Sequence, residues 1–261
     1  MGSDISALIE TDRTPVEVPR APWGEVEDRI ALNVQHLIPD RSTLQVGIGA
    51  VPEAIVASLR DRKDLGVHSG MIGDSIVDLF ESGALTNAHK EIDTGLTVTG
   101  SLIGTARLYR FADHNKSLLL TPSSYTHATS TVAQLKRFVS LNSALEVDLT
   151  GQVNAEAVGK EYIGAVGGQV DYVRASAYSE HGTSIIALPA TGKKGDSRIV
   201  AKLSGPVTTS RSDVDVVVTE YGAVRLRGLS LIRRVRGLIS IAAPEHREEL
   251  LRCAREFWPE V

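Results

Sequence analysis

The chain has 261 residues, 42% of them hydrophobic and 23% charged, with a net charge of −4 and a pI of about 6.0. That is the balance of a globular protein with a real core; it provides no basic stripe for nucleic acid and no apolar run long enough to cross a bilayer. A single cysteine, Cys253, and the lack of a signal-peptide pattern lead us to expect a reducing, cytoplasmic location.

Residues 1–24 carry Pro15, Pro19 and Pro22 among charges, without periodicity, and read as an arm or linker ahead of one α/β domain over 25–261. Val26, Ile30, Val34, Leu37 and Ile38 recur at helical spacing, and Pro39-Asp40 ends the helix. Thr43 to Gly47 reads as a buried strand entering a Gly-rich turn, with a helix from Pro52 to Arg60. Leu65 to His68 is a second strand, followed by a helix over Ser75 to Glu81. Further strands are expected at Leu96–Ser101, Ser117–Leu120, Ser184–Leu188, Val207–Thr209 and Val214–Thr219. Helices are expected at Ser130–Lys136 and Pro244–Phe257. Short buried strands alternating with helices predict an open, mostly parallel sheet flanked by helices.

Three glycine loops invite a ligand. Val46-Gly47-Ile48-Gly49-Ala50-Val51-Pro52 joins a strand to a helix, where backbone N–H groups can approach a substrate; an ordinary tight turn fits equally well. It lacks the third glycine of a dinucleotide fingerprint and the Lys-Ser/Thr of a phosphate loop. Gly164 to Asp171 contains the pair Gly167-Gly168, which suits an oxyanion site of paired donors. Ala190 to Arg198 holds Lys193 and Lys194 in a polar loop suited to phosphates, or to plain solvent exposure. Glu220 ends an apolar strand, where open α/β sheets place ligands, and His68 ends another. These two are the acid–base candidates, against the alternatives of a helix-terminal charge and a hydrogen-bonded structural histidine. The basic cluster Arg225, Arg227, Arg233, Arg234 and Arg236 reads as a solvated face or as a contact for an anion. Spacing for a metal is absent, and no metal site is expected.

Taken together, several segments resemble one family. They are Leu44 to Pro52, Leu65 to Ser69, Asn142 to Gln152, Gly167 to Tyr172, and Thr219 to Gly222 followed by Leu226-Arg227-Gly228. In order and spacing they are similar to the C-terminal domain of acetyl-CoA hydrolase/4-hydroxybutyrate CoA-transferase proteins, of the class I CoA-transferase superfamily. The resemblance implies a two-domain relative whose second half this chain matches. It also implies a glutamate nucleophile that forms an acyl anhydride and then a glutamyl-CoA thioester. That glutamate stands between the His-Ser or His-Thr pair and Met; here the run is His68-Ser69-Gly70-Met71, so Gly70 occupies its place. The resemblance further implies that Val46, Gly47, Gly49, Gly167 and Gly168 cradle the thioester. It puts His127 near a position where relatives have a CoA-holding Asn, and makes Glu220 an active-site carboxylate other than the nucleophile. Ala50, Gln169, Lys193 and Lys194 are the further candidates for contact with CoA. The expected ligand is an acyl-CoA, with no covalently bound cofactor. The expected partner is a separate protein like the family's first domain, or a second copy of the chain. A pseudoenzyme that binds CoA esters or scaffolds a partner is the alternative.

Overall fold

The computed structural model describes residues 6–261, so Met1 to Ser3 lie outside the described residues. After the arm come α1 (Glu25–Gln35), β1 (Thr43–Val46), α2 (Ala50–Ala57), β2 (Gly66–Ile72) and α3 (Asp74–Glu81). Next are β3 (Thr97–Leu102), α4 (Ala106–Ala112), β4 (Leu118–Leu120) and two single-turn helices, α5 (Ser123–Thr126) and α6 (Thr129–Val132). Then follow β5 (Phe138–Ser143), β6 (Glu146–Asp148), β7 (Val153–Asn154), β8 (Ala157–Val158) and β9 (Glu161–Tyr162). The rest is α7 (Gln169–Tyr178), β10 (Thr183–Ala187), β11 (Ile199–Val200), β12 (Val216–Thr219), β13 (Gly222–Arg225), α8 (Leu231–Ile241) and α9 (Pro244–Phe257).

The main sheet has eight strands in the order β13-β12-β10-β5-β1-β2-β3-β4, and only β12 and β13 pair antiparallel. Starting at β1 the chain winds outward through β2, β3 and β4, then returns to the other side of β1 as β5 and continues to β10 and β12. The winding therefore reverses between β1 and β5. In an open α/β sheet that reversal opens a crevice outside the carboxyl ends of the strands.

Strand alternation sends successive side chains to opposite faces. Ile185, Ala187, Val216 and Val218 join a core with Ile30 and Val34 of α1, Ile55 of α2 and Leu79 of α3. Ile186 and Val217 face the other way, against Val173 of α7, Val235 and Leu238 of α8, and Leu250 of α9. A smaller cluster of Val132, Leu135, Phe138, Tyr172 and Ala175 fixes the start of α7 over β5.

Residues 7–24 form no regular element, yet the second part of this stretch is docked. Val18 donates its N–H to Gly104 O at 2.9 Å, and Ala106 N–H donates to Glu17 Oε2 at 2.8 Å. Arg20 donates to Asp78 Oδ2 at 2.7 Å, and Asp78 also receives Arg60 at 3.0 Å and Arg107 at 2.5 Å. Burial pushes the Asp78 carboxyl up, but the hydrogen bonds from Arg20 and Arg107 outweigh it and hold the group at about 2.

Two sequence expectations need correcting. Val207–Thr209 is not a strand: Thr209 makes only an isolated bridge to Val153. The helix expected over Ser130–Lys136 is one turn, Thr129–Val132, because the chain must turn at once into central strand β5. The basic cluster largely ties chain segments together. Arg225 pairs with buried Asp215 at 2.9 Å, Arg234 donates to Arg211 O at 2.6 Å, and Arg236 donates to Glu260 O at 2.6 Å. No helix among the described residues is long and apolar enough to cross a membrane.

Candidate active site

Next to the winding reversal, on the other side of β1, strands β1 and β2 stay paired only through Thr43↔Gly66 and Leu44↔Val67. Beyond that the strands splay, and Ser69 Oγ bridges the gap, accepting from Val46 N–H at 3.3 Å and donating to Met71 O at 2.7 Å. The space opened is a cleft of about 200 Å³. Its floor is a buried amide pair in which Gln45 Nε2 donates to Asn142 Oδ1 at 3.2 Å and Asn142 Nδ2 donates to Gln45 Oε1 at 3.0 Å. Each amide satisfies the other, so polar side chains are tolerated in the middle of the sheet.

Gly70 lies on β2 in the wall of this cleft, with His127, Gly168 and Tyr172 around it. A Cβ at position 70 would sit 2.6 Å from His127 Cε1, 2.8 Å from its Nε2 and 3.2 Å from the Tyr172 hydroxyl. A Cβ at Gly168 would overlap the same ring at Nε2 and Cδ2. The imidazole therefore occupies a slot that exists only because both residues are glycine. Its Nδ1 lies 2.8 Å from Thr126 Oγ1, and its ring lies 4.7 Å from that of Tyr172, centroid to centroid. Tyr172 is 2% exposed, and its hydroxyl has no hydrogen-bond partner among the described residues. Burial pushes this phenol well above its ordinary value, so it stays protonated and is a donor.

The cleft thus brings together Val46, Gly47, Gly70, His127, Gly168 and Gln169 of the residues singled out in the sequence. Their roles differ from those expected of a cradle. Gly47 N–H is engaged with Leu141 O at 2.8 Å and Val46 N–H with Ser69, so neither is a free oxyanion donor. The α7 side differs: Gly168 caps α7, and the first-turn N–H groups of a helix have no partners within it. Gly167, in the left-handed region at φ 55°, is exposed just outside the cleft.

Other expected residues lie elsewhere. Glu220 accepts from Ala190 N–H at 2.8 Å at the end of β12, four strand positions from β2. At about 4.8 Å per strand, roughly 19 Å of sheet separates it from Gly70, too far to act as a base there. His68 is 0% exposed and is held by Thr126 O, which accepts from Nε2 at 3.1 Å. Burial, and secondarily the charge of Lys90, push His68 down to about 4, so the ring is neutral and closed off from substrate. Gly49, at φ 111°, turns the chain into α2; with Ala50 and Lys193 it lines a separate groove of about 550 Å³ that also holds Arg198. Lys194 is exposed beside that groove.

Sequence reasoning gave no role to Tyr172, Gln45 or Asn142, although all three fall in the quoted motifs. Glu53 was also missed. It lines a neighbouring cavity of about 220 Å³ that shares Val46, Gly47, Ile48 and Met71 with the cleft. Its Oε2 is buried without a partner, and burial raises its pKa.

Residues 104–254 match the acetyl-CoA hydrolase/transferase C-terminal domain. The chain is 41% identical over 252 residues to the 4-hydroxybutyrate coenzyme A transferase of Clostridium kluyveri, covering 95% of this chain and 59% of that protein. The crystal structure of RipA from Yersinia pestis superposes with a TM-score of 0.93 at 36% identity, covering 98% of this chain and 58% of that one. A 4-hydroxybutyrate CoA-transferase from Porphyromonas gingivalis superposes with a TM-score of 0.87 at 36% identity, covering 98% and 61%.

Proposed function

Because this chain belongs to the acetyl-CoA hydrolase/transferase family, we propose that it acts on acyl-CoA thioesters by direct acyl transfer or hydrolysis, as one subunit of a split enzyme. The observation that carries the reading is the cleft itself. Among the described residues, no carboxylate lines it, and Gly70 stands where the family resemblance puts the nucleophilic glutamate. A glutamyl anhydride has no side chain to form on at that position. Attack by water or an acceptor on the bound thioester needs no such side chain, only a base and a donor for the developing oxyanion.

The chain spans about six-tenths of the length of the relatives it matches. Exposed apolar surface beside the cleft supports a partner there. The cleft is lipped by Ile48, 68% exposed, and the segment leading to Gly168 exposes Tyr162, Ile163 and Val166. A separate protein resembling the family's first domain would cover this lip; a second copy of the chain is the other occupant this reading allows. Coenzyme A enters as part of the substrate, not as a covalently held group, and Lys193 with Arg198 in the adjoining groove suits its phosphates. A cytoplasmic location belongs to the same reading.

Engagement of the Val46 and Gly47 N–H groups favours one alternative, a pseudoenzyme that binds CoA esters without turning them over. Thiol release decides between the two. The chain is incubated with acetyl-CoA and butyryl-CoA, alone and with a co-expressed first-domain-like protein. Release above background is expected with the pair. Saturable binding without release would leave the binding-only reading standing.

A further inference from the structure

We propose that His127 is the catalytic acid–base residue of this cleft, with Tyr172 as the donor to the oxyanion. The assignment rests on the thioester reading above and names its machinery. His127 and Tyr172 are the titratable residues lining the cleft. The His127 ring fits between Gly70 and Gly168 without clash because neither carries a Cβ. Nδ1 donates to Thr126 Oγ1 in the productive tautomer, leaving Nε2 as the basic nitrogen beside Gly70 and Gly168. Among the described residues Nε2 has no hydrogen-bond partner, and neither has the buried Tyr172 hydroxyl. Both residues line the open cleft, where a water and a thioester carbonyl would stand.

The step balances without any other reactant. Water oxygen forms a bond to the thioester carbonyl carbon while one of its protons passes to Nε2, and the oxyanion accepts from the Tyr172 hydroxyl. Collapse breaks the C–S bond, and the proton on Nε2 goes to the leaving sulfur. The products are a carboxylic acid and free CoA thiol. The titratable groups facing His127 are Tyr172 from α7 and neutral His68 from β2.

The test measures thiol release from acetyl-CoA and butyryl-CoA by the chain with its co-expressed partner. His127→Asn should lower kcat roughly 10²-fold or more with KM little changed, and the acidic limb of the pH profile should disappear. Added imidazole should restore part of the activity of His127→Ala, which separates lost chemistry from lost structure. Gly70→Ala should mimic His127→Asn, because its Cβ displaces the ring. Glu53→Gln, acting on the neighbouring cavity, should retain the pH profile. Wild-type turnover that His127→Asn preserves with the same pH profile would overturn the assignment while leaving the thioester reading intact. No turnover by the wild type with any acyl-CoA or partner would overturn both.

Discussion

The behaviour of Gly70 depends on His127. Placing glutamate at position 70 alone introduces a Cβ 2.6 Å from the imidazole, so Gly70→Glu should lose about 1–3 kcal/mol through overpacking. Gly70→Glu with His127→Asn should recover much of that loss and accumulate a covalent protein–CoA species. Denaturant midpoints and intact mass on the four variants of the cycle give the coupling. His68 supplies a second residue-scale expectation. Its folded value, about 4, lies below the unfolded value of about 6.5, so between these the unfolded chain binds more protons. Stability is complete above about pH 6.5 and falls as pH drops toward 4, by ~3 kcal/mol over the window. Urea midpoints measured from pH 7 to 4 should show this slope, and His68→Asn should flatten it.

Among the elements, the docked part of the arm hangs on Asp78. Its folded value of about 2 lies below the unfolded value of about 3.9, so its contribution is full above about pH 4 and is lost as pH falls through about 2. Its arginine partners are partly exposed, so Asp78→Asn should cost only about 1–2 kcal/mol. Limited trypsin digestion should then cut faster at Arg20. The elements also mark what the residues revealed in advance. Thr43–Val46 was legible because it runs into a glycine turn; the second strand was legible only as far as His68, whereas it continues to Ile72, because Ser69 and Gly70 break the apolar pattern. Central strand β5 was not legible, since buried Ser140 and Asn142 break the apolar pattern, and Asn142 is satisfied only by Gln45, far away in sequence. Glu220 was read to the right end of a strand, but nothing in a linear sequence states how many strands lie between β12 and β2. His127 owes its place to the turn of α5 meeting α7, a contact between segments with no shared local pattern.

At the scale of the molecule, the sheet carries separate cores on its two faces, and the cleft sits where its winding reverses. Truncating a residue that locks the sheet, such as Ile186→Ala, should cost about 2–5 kcal/mol without changing which groups line the cleft. The exposed lip belongs to this scale too. Ile48→Asp should leave the isolated chain folded, as judged by its thermal midpoint, and should stop co-purification with a first-domain-like protein. The family resemblance made the fold and the position of Gly70 readable at the outset. It could not disclose that an imidazole had taken the neighbouring volume, because that depends on two glycines and a histidine from three separate segments.

The most direct measurement is the intact mass of the protein during turnover of acetyl-CoA with its partner present. A cleft that works through His127 and water releases free thiol while the chain keeps its unmodified mass, and borohydride or hydroxylamine traps nothing on it. A chain that gains the mass of coenzyme A through a thioester to one of its own carboxylates would contradict the account.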